Sequence, residues 1–209
     1  MLKQLRQAAA AATVSLAFIN PGHAGIVGFE DVLLNSTYNV GASFTSDGVS
    51  FTMQDYIWPG GTVYSGGQAI INLGFGGSFG TGQMLYPNNI NALVDLAGTV
   101  GQQTLVTIPF SDNGGNVNFH VNPAMGGAVI EANVFFDPAI DGTVINGVSV
   151  SVTGTNLSGF ITLTGPVDQV VIGGQETLID NVRYSPEPTS ALLLTACGMT
   201  MLARRRQNA

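Results

Sequence analysis

Tyr56, Trp58 and Tyr64 surround the turn sequence Pro59-Gly60-Gly61, and these rings are the side chains of the chain best suited to hold a sugar. Flat aromatic faces pack against the apolar faces of pyranose rings, while neighbouring amides and carboxylates take the hydroxyls. The opposing reading of the same residues is packing, since the one tryptophan of a β-rich chain also serves to fill a core or a loop. Nucleophilic and zinc chemistry have little to work with. His120 is the only histidine after His23, and it falls on the polar phase of a strand between Asn118 and Asn122, where a solvated side chain is expected. The sequence has no Gly-x-Ser-x-Gly elbow, and its one cysteine, Cys197, lies near the C-terminus. A serine triad, a thiol nucleophile and a cysteine or multi-histidine metal site are therefore excluded. Paired carboxylates of the kind that hydrolyse glycosides remain compatible with the composition, so a secreted carbohydrate-active enzyme stands as the alternative to a binding or structural role.

The charge distribution narrows the partners. Between Gly25 and Ser185 there are 12 acidic residues against one base, Arg183, a formal charge of −11 that the whole-chain value of −7 conceals. A domain without lysine has no means of neutralising phosphates, which excludes nucleic acid as a partner and disfavours anionic lipid. It attracts cations instead, and an uncharged polar polymer is acceptable to it. With no cysteine in this region, disulfides do not hold it together; about 160 residues suffice for one packed core.

The elements that position these residues are short and extended. Phe51 and Met53 alternate with Ser50 and Thr52; Val117, Phe119 and Val121 alternate with Asn118 and His120; Val148, Val150 and Val152 alternate with Ser149 and Ser151. Each pattern gives one buried and one wet face. Further strands are expected over Ile26–Glu30, Ala69–Leu73, Ala92–Leu96, Thr104–Pro109, Val129–Phe136, Phe160–Thr164, Gln169–Ile172 and Thr177–Val182. Turn signals at Asn113-Gly114, Asp141-Gly142 and Asn146-Gly147 separate them. About ten short strands at this spacing predict an all-β domain over 25–185, an antiparallel, jelly-roll-like β-sandwich. The glycine-rich stretch Gly66–Gln83 lacks the lysine and the spacing of a phosphate loop, and reads as a surface loop or as closely approaching strand ends.

Both ends of the chain read as targeting segments. Lys3 and Arg6 precede an uncharged run, Ala8–Ile19, and Gly22 and Ala24 supply small residues before a cut between Ala24 and Gly25. Residues 1–24 are thus a helical signal peptide for export by Sec, removed by signal peptidase. At the other end Pro186-Glu187-Pro188 is followed by an uncharged segment, 189–203, and by Arg204, Arg205 and Arg206. Fifteen helical residues span roughly 22 Å, short of the ~30 Å hydrocarbon core, so this segment inserts transiently and is not a lasting anchor. The arginines hold its end on the cytoplasmic side, and the two prolines keep the tripeptide extended and open to an enzyme.

The order of tripeptide, apolar segment and arginine cluster over 186–209 resembles the PEP-CTERM tail of exported Gram-negative surface proteins. That resemblance implies processing by exosortase and a destination in the cell envelope, at the cell surface or in the extracellular matrix, in contact with exopolysaccharide or biofilm. The body resembles the β-sandwich domains of such proteins at Gly28-Phe29-Glu30-Asp31, Tyr38-Asn39-Val40-Gly41 with Phe44, Gly48-Val49-Ser50-Phe51 and the closing run 165–182. In these galactose-binding-like sandwiches an early acidic residue and one from the last strand share a calcium ion. The resemblance therefore implies a structural calcium at Glu30, Asp31 and Asp180, reached when the first and last strands are neighbours, and with it a calcium-dependent carbohydrate-binding role.

Overall fold

The structure, a computed structural model, describes residues 24–74, 82–99 and 102–186. The signal segment up to His23, Glu187 and Pro188, the apolar segment 189–203 and Arg204–Arg206 lie outside the described residues, as do both expected terminal helices. Among the described residues there are eighteen strands, one 3-10 turn at Pro123–Met125 and no α-helix. In chain order the strands are β1 (Gly25–Val27), β2 (Thr37–Asn39), β3 (Ser43–Ser46), β4 (Val49–Gln54), β5 (Tyr56–Trp58), β6 (Thr62–Tyr64), β7 (Gln68–Leu73), β8 (Gln83–Asn88) and β9 (Ile90–Asp95). They continue with β10 (Gln103–Asp112), β11 (Val117–Val121), β12 (Ile130–Ala132), β13 (Val144–Ile145), β14 (Val148–Thr155), β15 (Ser158–Val167), β16 (Gln169–Gly174), β17 (Thr177–Ile179) and β18 (Val182–Pro186).

Sixteen of these strands form two antiparallel sheets, and β5 and β6 pair with each other as a third. One runs β13-β14-β15-β10-β17-β8-β7-β2, with β18 also paired to β10 and β1 paired to β18; the other runs β12-β11-β16-β9-β4-β3. From β8 to β11 and again from β15 to β17 each successive strand changes sheet, so the chain winds round a shared interior. Buried side chains of both sheets, among them Phe29, Phe51, Leu85, Phe110, Phe119 and Ile161, make one continuous apolar cluster. The body is thus all-β and antiparallel, with the layering of a sandwich.

Local sequence explains most of the elements. In β4, Val49, Phe51 and Met53 are buried while Ser50 is exposed, and β14 repeats the pattern with valine and serine. Asn146 and Gly147 join β13 to β14 with φ of 49° and 81°, the paired positive values a two-residue hairpin turn demands.

Three expectations need correction. Of Ile26–Glu30 only Ile26 and Val27 lie in a strand, and Phe29 turns the chain with a left-handed φ of 62°. Only Ile130–Ala132 of the segment Val129–Phe136 is a strand. Thr177–Val182 is also not one strand, because β17 and β18 are separated by Asp180 and Asn181, with Asn181 left-handed at φ 48°. The partner strand supplies the reason. Phe110 pairs with Ile179 and Thr107 with Arg183, so one extra residue bulges out opposite Pro109, which has no N–H to offer the ladder.

Candidate functional site

The aromatic trio lies on a hairpin that forms its own two-stranded sheet, with Tyr56 opposite Tyr64 and Trp58 opposite Thr62. Side chains fasten it to the outer face of the second sheet. Ile57 donates its N–H to Asn118 Oδ1 at 2.8 Å, and Asn118 Nδ2 donates back to the Ile57 carbonyl at 2.9 Å, so one amide imitates a neighbouring strand. Asn91 Nδ2 donates to the Asp55 carbonyl at 2.7 Å and to Asn118 Oδ1 at 3.1 Å. At the tip, Glu131 Oε2 accepts the amides of Gly60 and Gly61 at 2.8 and 3.1 Å.

The structure divides the three rings by role. Tyr56 is 0% exposed, and its hydroxyl donates to the Asn116 carbonyl, so it anchors the hairpin and offers no face to a ligand. Burial, and then the charges of Asp112 and Glu131, push that phenol well above the ordinary tyrosine range. The Trp58 ring stands edge-on to Tyr56 with centroids 5.2 Å apart, and Tyr64 lies 6.5 Å beyond. Tyr64 is 40% exposed and Trp58 is half-buried, so these two rings and not Tyr56 reach solvent. At the hairpin tip a cleft of about 160 Å³ is lined by Pro59, Gly60, Glu131, Ala132, Asn133 and Asp137.

The predicted carboxylates are brought together only in part. Strand β1 pairs with β18, so first and last strands are neighbours. Glu30 comes close enough to Asp180 for its charge to help raise the Asp180 carboxyl to about 6, after burial and against the opposing Asn181 amide. Glu30 Oε1 accepts the Gln83 N–H at 2.7 Å, and its carbonyl accepts Gln83 Nε2 at 3.3 Å. A side chain at Gly82 would collide with the Glu30 carboxylate, its Cβ falling 1.7 Å from Oε1. Asp31 departs from the expected trio. Its two oxygens accept the Ser46 hydroxyl at 2.6 Å and the Asp47 N–H at 2.9 Å, bonds that hold it below the usual carboxylate range. Gln83, which no motif singles out, contributes a buried Oε1 with no hydrogen-bond partner.

His120 is not solvated. All five residues of β11 are buried, and His120 Nε2 lies 3.1 Å from the Gly126 carbonyl under the loop that follows the strand. Among the described residues no three His, Cys, Asp or Glu side chains gather into a metal cluster.

No protein-family model matches the sequence, and no curated protein matches it. Among solved structures the fold is similar to a family 29 carbohydrate-binding module variant in complex with mannohexaose, at 11% identity and a TM-score of 0.32, covering 79% of this chain and 92% of that one. A second variant of the same module aligns at 12% identity and a TM-score of 0.32, over 73% and 92%.

Proposed function

We propose that this is an exported, non-enzymatic surface protein whose jelly-roll-like body binds a neutral polysaccharide through Trp58 and Tyr64. The observation that carries the reading is the aromatic hairpin held in place by Asn118, Asn91 and Glu131. Its two outward rings are set before a ligand arrives, and the ordering of the binding surface does not have to be met on binding. The polar cleft at the hairpin tip offers Glu131, Asn133 and Asp137 to sugar hydroxyls. A body with 12 acids and one base favours an uncharged polymer over a uronic or sulfated one. A structural calcium belongs to the same reading. Glu30, Asp180 and the unpartnered Gln83 Oε1 are the oxygens that would hold it, and hard oxygen donors are what this ion takes.

The tail supports delivery to the same place. Export by Sec, removal of residues 1–24 by signal peptidase and processing by exosortase after transient membrane insertion of 189–203 would leave the body in the envelope or matrix of a Gram-negative cell. The binding is tested by retardation of the exported protein in gels containing the host's own exopolysaccharide. Trp58→Ala with Tyr64→Ala is expected to weaken retention about tenfold or more, while Val63→Ala, between them on the hairpin, leaves it intact. Undiminished retention of the double variant would overturn the assignment, and release of reducing sugar would move the protein to the enzyme class.

A further inference from the structure

Strands β10 and β17 end on a polar pair that faces the wrong way for a surface. Phe110 pairs with Ile179, Ser111 with Leu178 and Asp112 with Thr177. Phe110 and Ile179 point into the core, so two residues further on Asp112 and Thr177 point inward as well. Asp112 is 3% exposed and Thr177 is 0% exposed. The Asp112 carboxylate accepts the amides of Gly114 and Gly115, yet its Oδ1 has no partner, and neither has Thr177 Oγ1. Thr177 Oγ1 abuts Gly174 of the facing sheet, 1.9 Å from where a Cβ would stand. Asn89, whose N–H bonds the Gly174 carbonyl at 2.9 Å, carries a third buried oxygen without a partner, Oδ1.

We propose that Asp112 Oδ1 and Thr177 Oγ1, with Asn89 Oδ1 beside them, hold a buried alkali cation inside this end of the sandwich. Asp112 Oδ1 and Asn89 Oδ1 are acceptors only, and the single hydrogen of the Thr177 hydroxyl cannot satisfy both, whereas a hard cation can be shared by all three. One carboxylate balances one positive charge, which selects sodium or potassium over calcium at this depth. Burial, with the Glu176 charge adding to it, drives the Asp112 carboxyl up to about 6 against the Gly114 and Gly115 amides. The site is separate from Glu30 and Asp180, which lie at the other end of β17.

The test exploits opposite signs. The exported protein is melted at pH 8 with chelator present, in sodium, potassium or N-methylglucamine chloride at one ionic strength. An alkali ion at about ten times its dissociation constant is expected to raise Tm by about 3–6 °C over N-methylglucamine, the larger rise telling sodium from potassium. Asp112→Asn and Thr177→Val are each expected to abolish this rise and to melt below the parent in alkali salt, while Glu30→Gln keeps it. Without a bound cation the same two substitutions remove a buried uncompensated charge and a buried unpaired hydroxyl, so both would melt above the parent in every salt. That result, or equal Tm in the three salts, would overturn the proposal; Thr177→Val, nearly isosteric, keeps the test decisive if Asp112→Asn does not fold.

Discussion

Replacing Asn118 by alanine is the sharpest probe of how the aromatic hairpin is held. The substitution removes the two bonds to Ile57 and the one received from Asn91 Nδ2. A neutral hydrogen bond contributes about 0.5–1.5 kcal/mol, and a polar group left unpaired costs about 1–3 kcal/mol when no water reaches it. Ile57 on β5 is only partly buried, so water replaces part of the loss, and about 2–3 kcal/mol is the expected total. Because β5 and β6 form a sheet of their own, the cost falls on hairpin docking and not on the sandwich. Trp58, the only tryptophan of the chain, reports the difference. The variant should show red-shifted emission and easier acrylamide quenching, with the Ile57 amide exchanging roughly 30- to 150-fold faster while amides of β9 and β16 keep their protection. If Ile57 stays as protected as in the parent, or opens only together with β16, the hairpin is an integral part of the sandwich and the side-chain clasp is not what fixes the binding surface.

Other outcomes follow from the remaining sites. Calcium at 10 mM, against a dissociation constant of about 0.1–1 mM, should stabilise by about 1.4–2.7 kcal/mol and raise Tm by roughly 3–10 °C, with the rise lost in Glu30→Gln and kept in Asp31→Asn; no shift on adding calcium after chelation would remove the ion from the reading. Asp112 and Asp180 both titrate near 6 in the folded protein against 3.8 for the free group, so the native state binds more protons between these values. Stability from these two groups is therefore fully present below about pH 4 and falls by about 1–3 kcal/mol for each as pH rises to about 6, when measured in chelator without alkali salt; a melting temperature that climbs over this window in the parent and flattens in Asp112→Asn would contradict it. Intact mass of the protein from its own host should show a species that begins at Gly25 and ends near Pro188 only when exosortase is present, whereas retention of Arg204–Arg206 in both strains would make the tail an ordinary anchor.

Much of the body was legible because periodicity reports which face of a strand is buried. Strands β4 and β14 and the turn at Asn146-Gly147 follow directly from alternation and turn chemistry. The same rule misplaced His120 and Asn118. Alternation separates a core face from the other face, and it carries no information about whether a loop or hairpin covers that second face. Strand β11 is covered on both sides, by the core on one and by β5 and the residues after Val121 on the other. The pairing of Glu30 with Asp180 was accessible through the expected meeting of first and last strands. The loss of Asp31 from that pair was not, because adjacent residues point in different directions and Asp31 finds the Ser46 hydroxyl and Asp47 amide nearer to hand. Gln83 was hidden for a related reason, since it opens β8 just after a glycine-rich stretch and meets Glu30 only through the folded chain.

Composition and buried chemistry meet in one further step. A buried carboxylate needs hydrogen bonds, a proton or a positive charge. Arg183, the only base between Gly25 and Ser185, is exposed on β18 opposite Ile26 and Thr107, so it does not serve Asp112 or Asp180. The Asp180 oxygens accept the Asn181 N–H and the Asn181 side-chain amide, each at 2.7 Å, whereas the amides of Gly114 and Gly115 leave Asp112 Oδ1 without a partner. What Asp112 lacks is open to a proton or to an ion from the surrounding medium. The dependence reaches the binding surface as well. The Asn116 carbonyl that anchors Tyr56 follows within four residues of Asp112, and the Asp112 charge is felt at the Tyr56 phenol. An ion that fixes the end of β10 thereby fixes the base of the hairpin, and removing it should loosen Trp58 before it unfolds the sheets.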